Sequence, residues 1–303
     1  MSTAALVPTT HHLDGSDIRG TIADASLGKL VTDSFIRFRR ADGFSFARAM
    51  AFQTVLTLVP GTIAVVALAA WMGESTFQSV LREAITSLAP GPAGEFFNSA
   101  FRQGTESGDG GNHLVVIIAS VGAMLFSAVP AMAQLQRGAS RIYGVDSDRP
   151  TLQRYTLAVV LTLSVGALMV VAFVSIVLGS ALGGSNDGFA STWSWLRWPL
   201  GVGVLATGLA ALFKFAPNRR QPSLAWLLLG GGVAVIAWLL VSIGLSLFLN
   251  ASTTFGDVYG PLAGFVGVMI WAVLSSIGVF FGLAVAAQLE AERAGSPGPV
   301  DES

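Results

Sequence analysis

Six long stretches of the chain contain no Asp, Glu, Lys or Arg: residues 49–73, 110–136, 155–186, 198–213, 221–256 and 258–289. A helix that crosses a bilayer needs about 20 predominantly apolar residues, and the fourth stretch alone is shorter than that. Arg197 and Lys214 flank it, and their long apolar stems can reach the membrane interface. The pattern predicts six transmembrane helices, at about 51–72, 114–136, 156–179, 196–215, 224–249 and 261–288.

The spans are predicted to be helical because apolar and polar residues do not alternate along them, as they would in a membrane β-barrel. The predicted fold class is therefore all-α, a polytopic membrane protein. Composition agrees, since 52% of the residues are hydrophobic and 12% are charged, whereas soluble domains carry about 25% charged residues. A net charge of −1 gives no nucleic-acid footprint. The absence of cysteine excludes disulfides and thiolate metal sites.

Basic residues predict the orientation of the spans. With six spans, one side of the membrane receives 14 of the 17 Lys and Arg residues. The other side receives Arg82, Arg102 and Arg197. Because basic loops stay in the cytoplasm, the amino and carboxyl termini are both predicted to be cytoplasmic.

A single transmembrane domain is predicted for residues 25–292, with disordered cytoplasmic tails at 1–24 and 293–303. An amphipathic helix is expected over residues 27–40. Its two faces are an apolar one, formed by Leu27, Leu30, Val31, Phe35 and Phe38, and a polar one, formed by Lys29, Asp33, Arg37 and Arg40. Such a helix can lie on the cytoplasmic leaflet with its cations near anionic headgroups, or it can pack on the protein's own loops. The first outer loop is expected to form a short amphipathic helical hairpin at 75–103, either resting on the membrane or acting as a lid.

Catalytic signatures are absent from the sequence. The three histidines, His11, His12 and His113, lie in a polar tail and at a loop end, so no metal site is predicted. We expect no catalytic residue and no cofactor. Asp257 is interpreted as a loop or capping residue rather than a proton carrier.

Polar residues inside spans usually face a protein interior or a watery path, and they define a candidate path or binding face. In the last span, small residues repeat on one narrow arc, which favours either close helix packing or the wall of a cavity. The full candidate set is Gln53, Thr57, Pro60, Ser127, Gln134, Arg141, Asp257, Tyr259, Gly260, Gly264, Trp271, Ser275, Gly278 and Gly282.

Three segments resemble the YihY/BrkB family of membrane proteins. They are the run from Ala51 to Pro60, the run from Phe126 to Val145 that includes Arg141-Ile142-Tyr143, and the run from Tyr259 to Gly264 followed by Trp271 and Gly282. The sequence departs from the family pattern at Gln53, where an aromatic residue is usual, and after Gly282, where an acidic residue is common. The resemblance implies a six-helix protein of the bacterial inner membrane. An older family label, ribonuclease BN, implies tRNA processing, which this sequence does not favour.

Three functions follow from these patterns. The first is transport or handling of a lipid or a lipid-linked envelope component, with membrane lipids as partners and no nucleic acid. The second is transport of a small solute or ion, which the absence of ionisable residues within the spans disfavours. The third is a scaffold that transports nothing, in which the glycine face of the last span would bind an envelope protein or a second copy of the chain.

Overall fold

The computed structural model describes residues 4–9, 26–71, 102, 113–182, 187–252, 255, 258–295 and 298–300. These residues form seven α-helices and one short 3₁₀ helix at Gly260–Leu262. The helices are α1 (Leu27–Arg40), α2 (Gly43–Trp71), α3 (His113–Ile142), α4 (Thr151–Leu182), α5 (Asp187–Phe215), α6 (Leu224–Ala251) and α7 (Ala263–Arg293). Extended pairing within these ranges is limited to one isolated bridge between Ala4 and Val300. The predicted all-α fold class is confirmed for this part of the chain.

Five helices are long and apolar enough to cross a membrane, namely α2, α3, α4, α6 and α7. The predicted fourth span falls within α5, whose apolar part, Pro199–Phe215, is shorter. Each long helix extends beyond its predicted span because backbone hydrogen bonds continue a helix past the last apolar residue. The 29 residues of α2, for example, reach about 44 Å at 1.5 Å per residue, compared with about 30 Å of hydrocarbon.

The predicted outer hairpin at 75–103 lies outside the described residues, apart from Arg102, and so does Asp257. Near the amino terminus, residues 4–9 are described, and Ala4 and Val7 are buried. The amide of Ala5 donates a hydrogen bond to the carbonyl of Pro299, at 3.1 Å. Parts of the two tails predicted to be disordered are therefore paired with each other.

The chain divides into two compact units. The first comprises Met1–Met50, Met132–Leu239 and Ser275–Ser303, and the second comprises Ala51–Ala131 and Leu240–Leu274. In the first unit, the main core combines residues of α1 to α7 around Phe213, Phe280 and Leu283. In the second unit, Ala51 and Val55 of α2 pack with Val268 and Ala272 of α7.

Glycines allow α6 and α7 to approach closely in the first unit. A Cβ atom at Gly282 would collide with the carbonyl oxygen of Gly230 and would lie 2.7 Å from the Cβ of Ala234. A Cβ atom at Gly278 would lie 3.0 Å from the Cβ of Ala237. Small residues in this pattern let helix backbones meet in lipid, where dispersion contacts rather than water expulsion hold helices together. At these two positions, the arc of small residues is a packing surface.

We expect Gly282→Ala to destabilise the protein by about 1–3 kcal/mol because the new methyl group overpacks the contact with α6. The matched control is Gly267→Ala on the same helix, where a Cβ atom would lie 3.5 Å from Leu249 Cδ1, an ordinary contact. The control should be neutral or slightly stabilising because alanine favours the helix. Unfolding titrations in detergent micelles measure both free energies. Equal effects of the two substitutions would contradict close packing at Gly282.

Candidate functional site

The sequence-predicted residues of the second unit lie mainly on α2 and α7. Gln53, Thr57 and Pro60 are half-buried on one side of α2, and the Thr57 hydroxyl donates to the Gln53 carbonyl at 2.8 Å. On α7, the indole nitrogen of Trp271 donates to the Ser242 hydroxyl of α6 at 3.1 Å. Gly264 is buried in the same helix.

Three more predicted residues of this unit are satisfied locally or lie at its surface. The hydroxyl of Ser127 donates to the Ala123 carbonyl one turn earlier, at 3.3 Å. Tyr259 is exposed, and its ring centroid lies 4.8 Å from that of Phe255. Gly260 adopts a positive φ of 50°, a conformation that glycine tolerates best.

The first unit holds the remaining predicted residues. Gln134 is half-buried in α3, and Arg141 pairs with Asp146 at 3.4 Å. The Ser275 hydroxyl oxygen is buried with no hydrogen-bond partner among the described residues. Gly278 and Gly282 form the contact with α6 described above.

A different set of side chains forms the most concentrated polar site in the described structure. Glu290, near the end of α7, accepts a hydrogen bond from the Tyr143 hydroxyl at 2.8 Å and pairs with Arg219 at 3.0 Å. The Arg219 guanidinium also lies 4.5 Å from the centre of the Tyr143 ring, within cation–π range. The side chains of Arg219 and Glu290 are only 4% and 1% exposed. We call these three residues, together with Arg37 and Gln288, the polar cluster.

Arg37 of α1 is fully buried beside this ion pair. Its Nε donates to Gln288 Oε1 at 3.0 Å, and its Nη1 donates to the carbonyls of Ala5 and Ile142 at 2.8 and 3.2 Å. Burial lowers the pKa of Arg37 to about 10. The guanidinium therefore remains charged at neutral pH and holds the amino-terminal segment against the end of α3.

The hydrogen bonds of the polar cluster lie within the protein and join separate segments of the chain. Both carboxylate oxygens of Glu290 accept hydrogen bonds, one from Tyr143 and one from Arg219, so neither is free to act as a general base. Burial raises the pKa of Tyr143 well above 10, and the negative charge of Glu290 raises it further. Tyr143 thus stays a proton donor at physiological pH. Among the residues that the structure describes, no group of His, Cys, Asp and Glu could hold a metal ion.

Another arginine, Arg149, connects two loops of the same unit. Arg149 follows α3, and it donates to the carbonyls of Ala216 and Pro217 at 2.7 Å each, just after α5 ends. Positive charge near the carboxyl end of a helix is favourable because the last carbonyls are unpaired. Asn218 completes the connection, since its backbone amide donates to the Ser140 hydroxyl at 3.1 Å.

Sequence reasoning did not identify the polar cluster. Arg37 was placed on the polar face of an amphipathic helix, but it is buried, whereas Leu27 and Val31 of the expected apolar face are exposed. Arg219 was interpreted only as a topology signal. The available signal was the pair Gln288 and Glu290, which are polar residues in the last turns of an apolar helix and need partners if that helix end is buried.

A model of the family described as virulence factor BrkB matches residues 34–302 of the chain. The chain belongs to this family. The resemblance inferred from the three segments above is therefore confirmed. The part of the chain that matches the BrkB family model includes Arg37 and every other residue of the polar cluster.

Several relatives are similar over most of this chain. The ribonuclease-like protein YfkH of Bacillus subtilis is 29% identical over 255 residues, which are 82% of this chain and 90% of the relative. A UPF0761 membrane protein of Ralstonia nicotianae is 27% identical over 82% of this chain, and one of Xanthomonas oryzae is 24% identical over 91%. The chain spans only 56% and 63% of the length of these last two proteins. No solved structure matches the chain significantly.

The ion pair of the polar cluster can be tested by Glu290→Gln. We expect a loss of about 3–5 kcal/mol in the free energy of unfolding because Arg219 would be left buried without a counter-charge. The matched control is Glu292→Gln, which removes the same charge from a half-buried position two residues further along and should change stability by less than about 1 kcal/mol. Denaturant titration in micelles measures both. A small effect of Glu290→Gln would contradict the expected role of the ion pair. It would mean that water can solvate Arg219 in place of the carboxylate.

Proposed function

We propose that this member of the BrkB family crosses a bacterial cytoplasmic membrane six times, with both termini in the cytoplasm. Contacts within the first unit support an even number of spans. Arg219, from the connection between α5 and α6, bonds to the Val7 carbonyl and to Glu290 near the end of α7. The start of α4 and the end of α5 are also joined, because Arg149 bonds to the Phe215 and Ala216 carbonyls. If α4 crosses the membrane, α5 has to cross back.

This topology predicts opposite accessibility for two single cysteines, which can be introduced without background because the chain has none. Ser147→Cys, before α4, should react with a membrane-impermeant maleimide only after the membrane is permeabilised. Ser185→Cys, between α4 and α5, should react in intact spheroplasts. If both positions were labelled from the same side, α4 would not cross the membrane.

For the activity, we propose transport or handling of a lipid or a lipid-linked envelope component. The observation that carries this proposal is the environment of Gln53. The residue is half-buried on a helix long and apolar enough to cross a membrane, and among the described residues only its backbone carbonyl, which accepts from Thr57, takes part in a side-chain hydrogen bond. Leaving such an amide unpaired in an apolar medium costs about 1–3 kcal/mol, so the position favours contact with water or with a polar ligand group.

The surroundings of Gln53 suit an amphiphile better than a small solute. Phe52 and Leu56 are 53% and 45% exposed, and they flank Gln53 on the helix surface. On the other flank, Thr57 and Pro60 continue the polar side, and Pro60 has no amide hydrogen to donate to the Leu56 carbonyl. A polar stripe therefore borders an exposed apolar one. A headgroup could contact the first stripe while acyl chains contact the second.

Hydrolysis of RNA is not part of this proposal. One relative is ribonuclease-like in name, but the carboxylate of Glu290 is occupied by hydrogen bonds. The relatives from Ralstonia nicotianae and Xanthomonas oryzae are called membrane proteins. The long apolar helices favour a ligand that dissolves in the membrane over RNA.

Lipid movement can be measured with fluorescent phospholipids in proteoliposomes containing the full chain. We expect translocation above the protein-free rate, and we expect Gln53→Leu to reduce it about tenfold, corresponding to about 1.4 kcal/mol of lost interaction in the barrier. The matched control is Thr62→Val. Thr62 lies on the side of α2 opposite to Gln53. Its hydroxyl already donates a hydrogen bond to the Leu58 carbonyl, at 2.8 Å.

The control should translocate lipid at nearly the wild-type rate. Rates that stay at background for zwitterionic, anionic and lipid-linked substrates alike would overturn the proposal. Equal loss in both variants would show that α2 is merely unstable, and it would remove Gln53 from the path.

A further inference from the structure

A groove of about 560 Å³ lies in the first unit, at the end of α1 and beside the turn that leads into α2. Its lining is mixed, with two arginines, one acidic residue and three apolar residues: Phe35, Ile36, Arg39, Arg40, Asp42 and Val300. The groove shares no lining residue with the polar cluster or with the polar stripe of Gln53, Thr57 and Pro60. The family match gives it no role.

The groove is continuous with an exposed apolar stripe on α1. Leu27, Val31 and Phe35 are 68%, 54% and 46% exposed, although they follow one another at helical spacing. These residues are not the core face of the helix, because that face is formed by Leu30, Ser34, Arg37 and Phe38, which are buried. The stripe thus needs an apolar partner outside the first unit, and lipid is the apolar medium next to a membrane helix.

The position of the groove places it at the boundary of the membrane. The candidate membrane span of α2, Gly43–Leu68, begins three residues after Arg40 and includes one cation, Arg48. Phe44 packs edge-on against Phe35, with ring centroids 6.4 Å apart, so exposed aromatic surface extends from the stripe to the start of the span. Aromatic residues favour this interfacial zone because their rings tolerate both headgroups and acyl chains.

The charges of the groove complement a phosphate diester. Arg39 and Arg40 line the groove with two exposed guanidinium groups, and Asp42 lines it with one carboxylate. The planar guanidinium matches phosphate oxygens with two parallel hydrogen bonds. Arginines beside a membrane are also attracted by the negative surface of an anionic leaflet.

We propose that this groove binds the phosphate headgroup of an anionic phospholipid, with its acyl chains lying along Leu27, Val31 and Phe35. A soluble phosphate compound would make no use of the apolar stripe, and an acidic protein partner would not need a site at the start of a span. The site does not rest on lipid translocation, since a chain that moves no lipid can still hold an anchoring lipid. In the topology proposed above, the groove faces the cytoplasmic leaflet, so the bound lipid would belong to that leaflet.

The test uses the full-length chain in detergent, titrated with phosphatidylglycerol or phosphatidylcholine, with bound lipid counted by native mass spectrometry. We expect wild type to prefer phosphatidylglycerol. The double variant R39Q/R40Q should lose about 10- to 30-fold of that preference, as expected for two interfacial arginines. The matched control is K29Q, which removes one exposed cation from the same helix but does not line the groove, and it should change the preference less than about twofold.

Four outcomes would overturn the site: equal binding of the two lipids by wild type, no larger effect of R39Q/R40Q than of K29Q, displacement of phosphatidylglycerol by millimolar glycerol 3-phosphate, or displacement by an acidic peptide. If the double variant does not fold, R39Q and R40Q alone should each lower the preference about fivefold. Thr62→Val, which changes neither the groove nor the polar stripe of Gln53, should retain the full preference for phosphatidylglycerol. R39Q/R40Q should lose that preference whether or not the wild-type chain translocates lipid, so the two proposals can fail separately.

Discussion

The carboxylate of Glu290 is buried, and a buried carboxylate is tolerated only where donors surround it. The donors come from distant parts of the sequence, since Tyr143 follows α3 and Arg219 follows α5. Arg219 in turn reaches the carbonyls of Val7 and Pro8. One charge near the end of α7 thereby fixes the positions of three other chain segments. The first unit depends on this arrangement, because removing any one partner takes a hydrogen bond away from another buried polar group.

The arginines of the first unit and Gln53 of the second differ in their hydrogen bonds, although the first unit also contains buried polar atoms without a partner among the described residues, such as Arg37 Nη2 and the Ser275 hydroxyl. In the first unit, Arg37, Arg149 and Arg219 each bond to several backbone carbonyls, so that the ends of the helices are tied together. In the second unit, among the described residues, only the backbone carbonyl of Gln53 takes part in a side-chain hydrogen bond, and the residue lies next to exposed apolar side chains. Most buried polar groups have hydrogen-bond partners within the protein. A group that binds a ligand needs a donor or acceptor that is still available in the unbound protein. This contrast is the reason for placing the ligand path on α2 rather than at the polar cluster.

Local patterns were sufficient to predict the helices but not their contacts. The stretches without charge located α2 to α7, since exclusion of charge from lipid acts on each segment separately. The residues of α1 were also predicted, yet its buried face was not, because Arg37 is satisfied by Gln288, 251 positions away. No local pattern encodes such a partner. The glycine arc left packing and cavity as alternatives, and only the proximity of Gly230 and Ala234 assigns Gly282 to packing.

The basic residues that predict topology turn out to have different physical roles. Arg37 and Arg219 are buried and bonded within the protein, whereas Arg39 and Arg40 are exposed at the groove. In the proposed topology, all four lie on the cytoplasmic side of the membrane, where basic residues are retained during insertion. The Nε of Arg37 gains its partner Gln288 only when the end of the last helix is in place. Until then this nitrogen has to be hydrated or lie near anionic headgroups. The groove next to it would provide such an interfacial environment from the start of synthesis, so an anionic lipid bound at Arg39 and Arg40 would hold α1 in place while the polar cluster assembles.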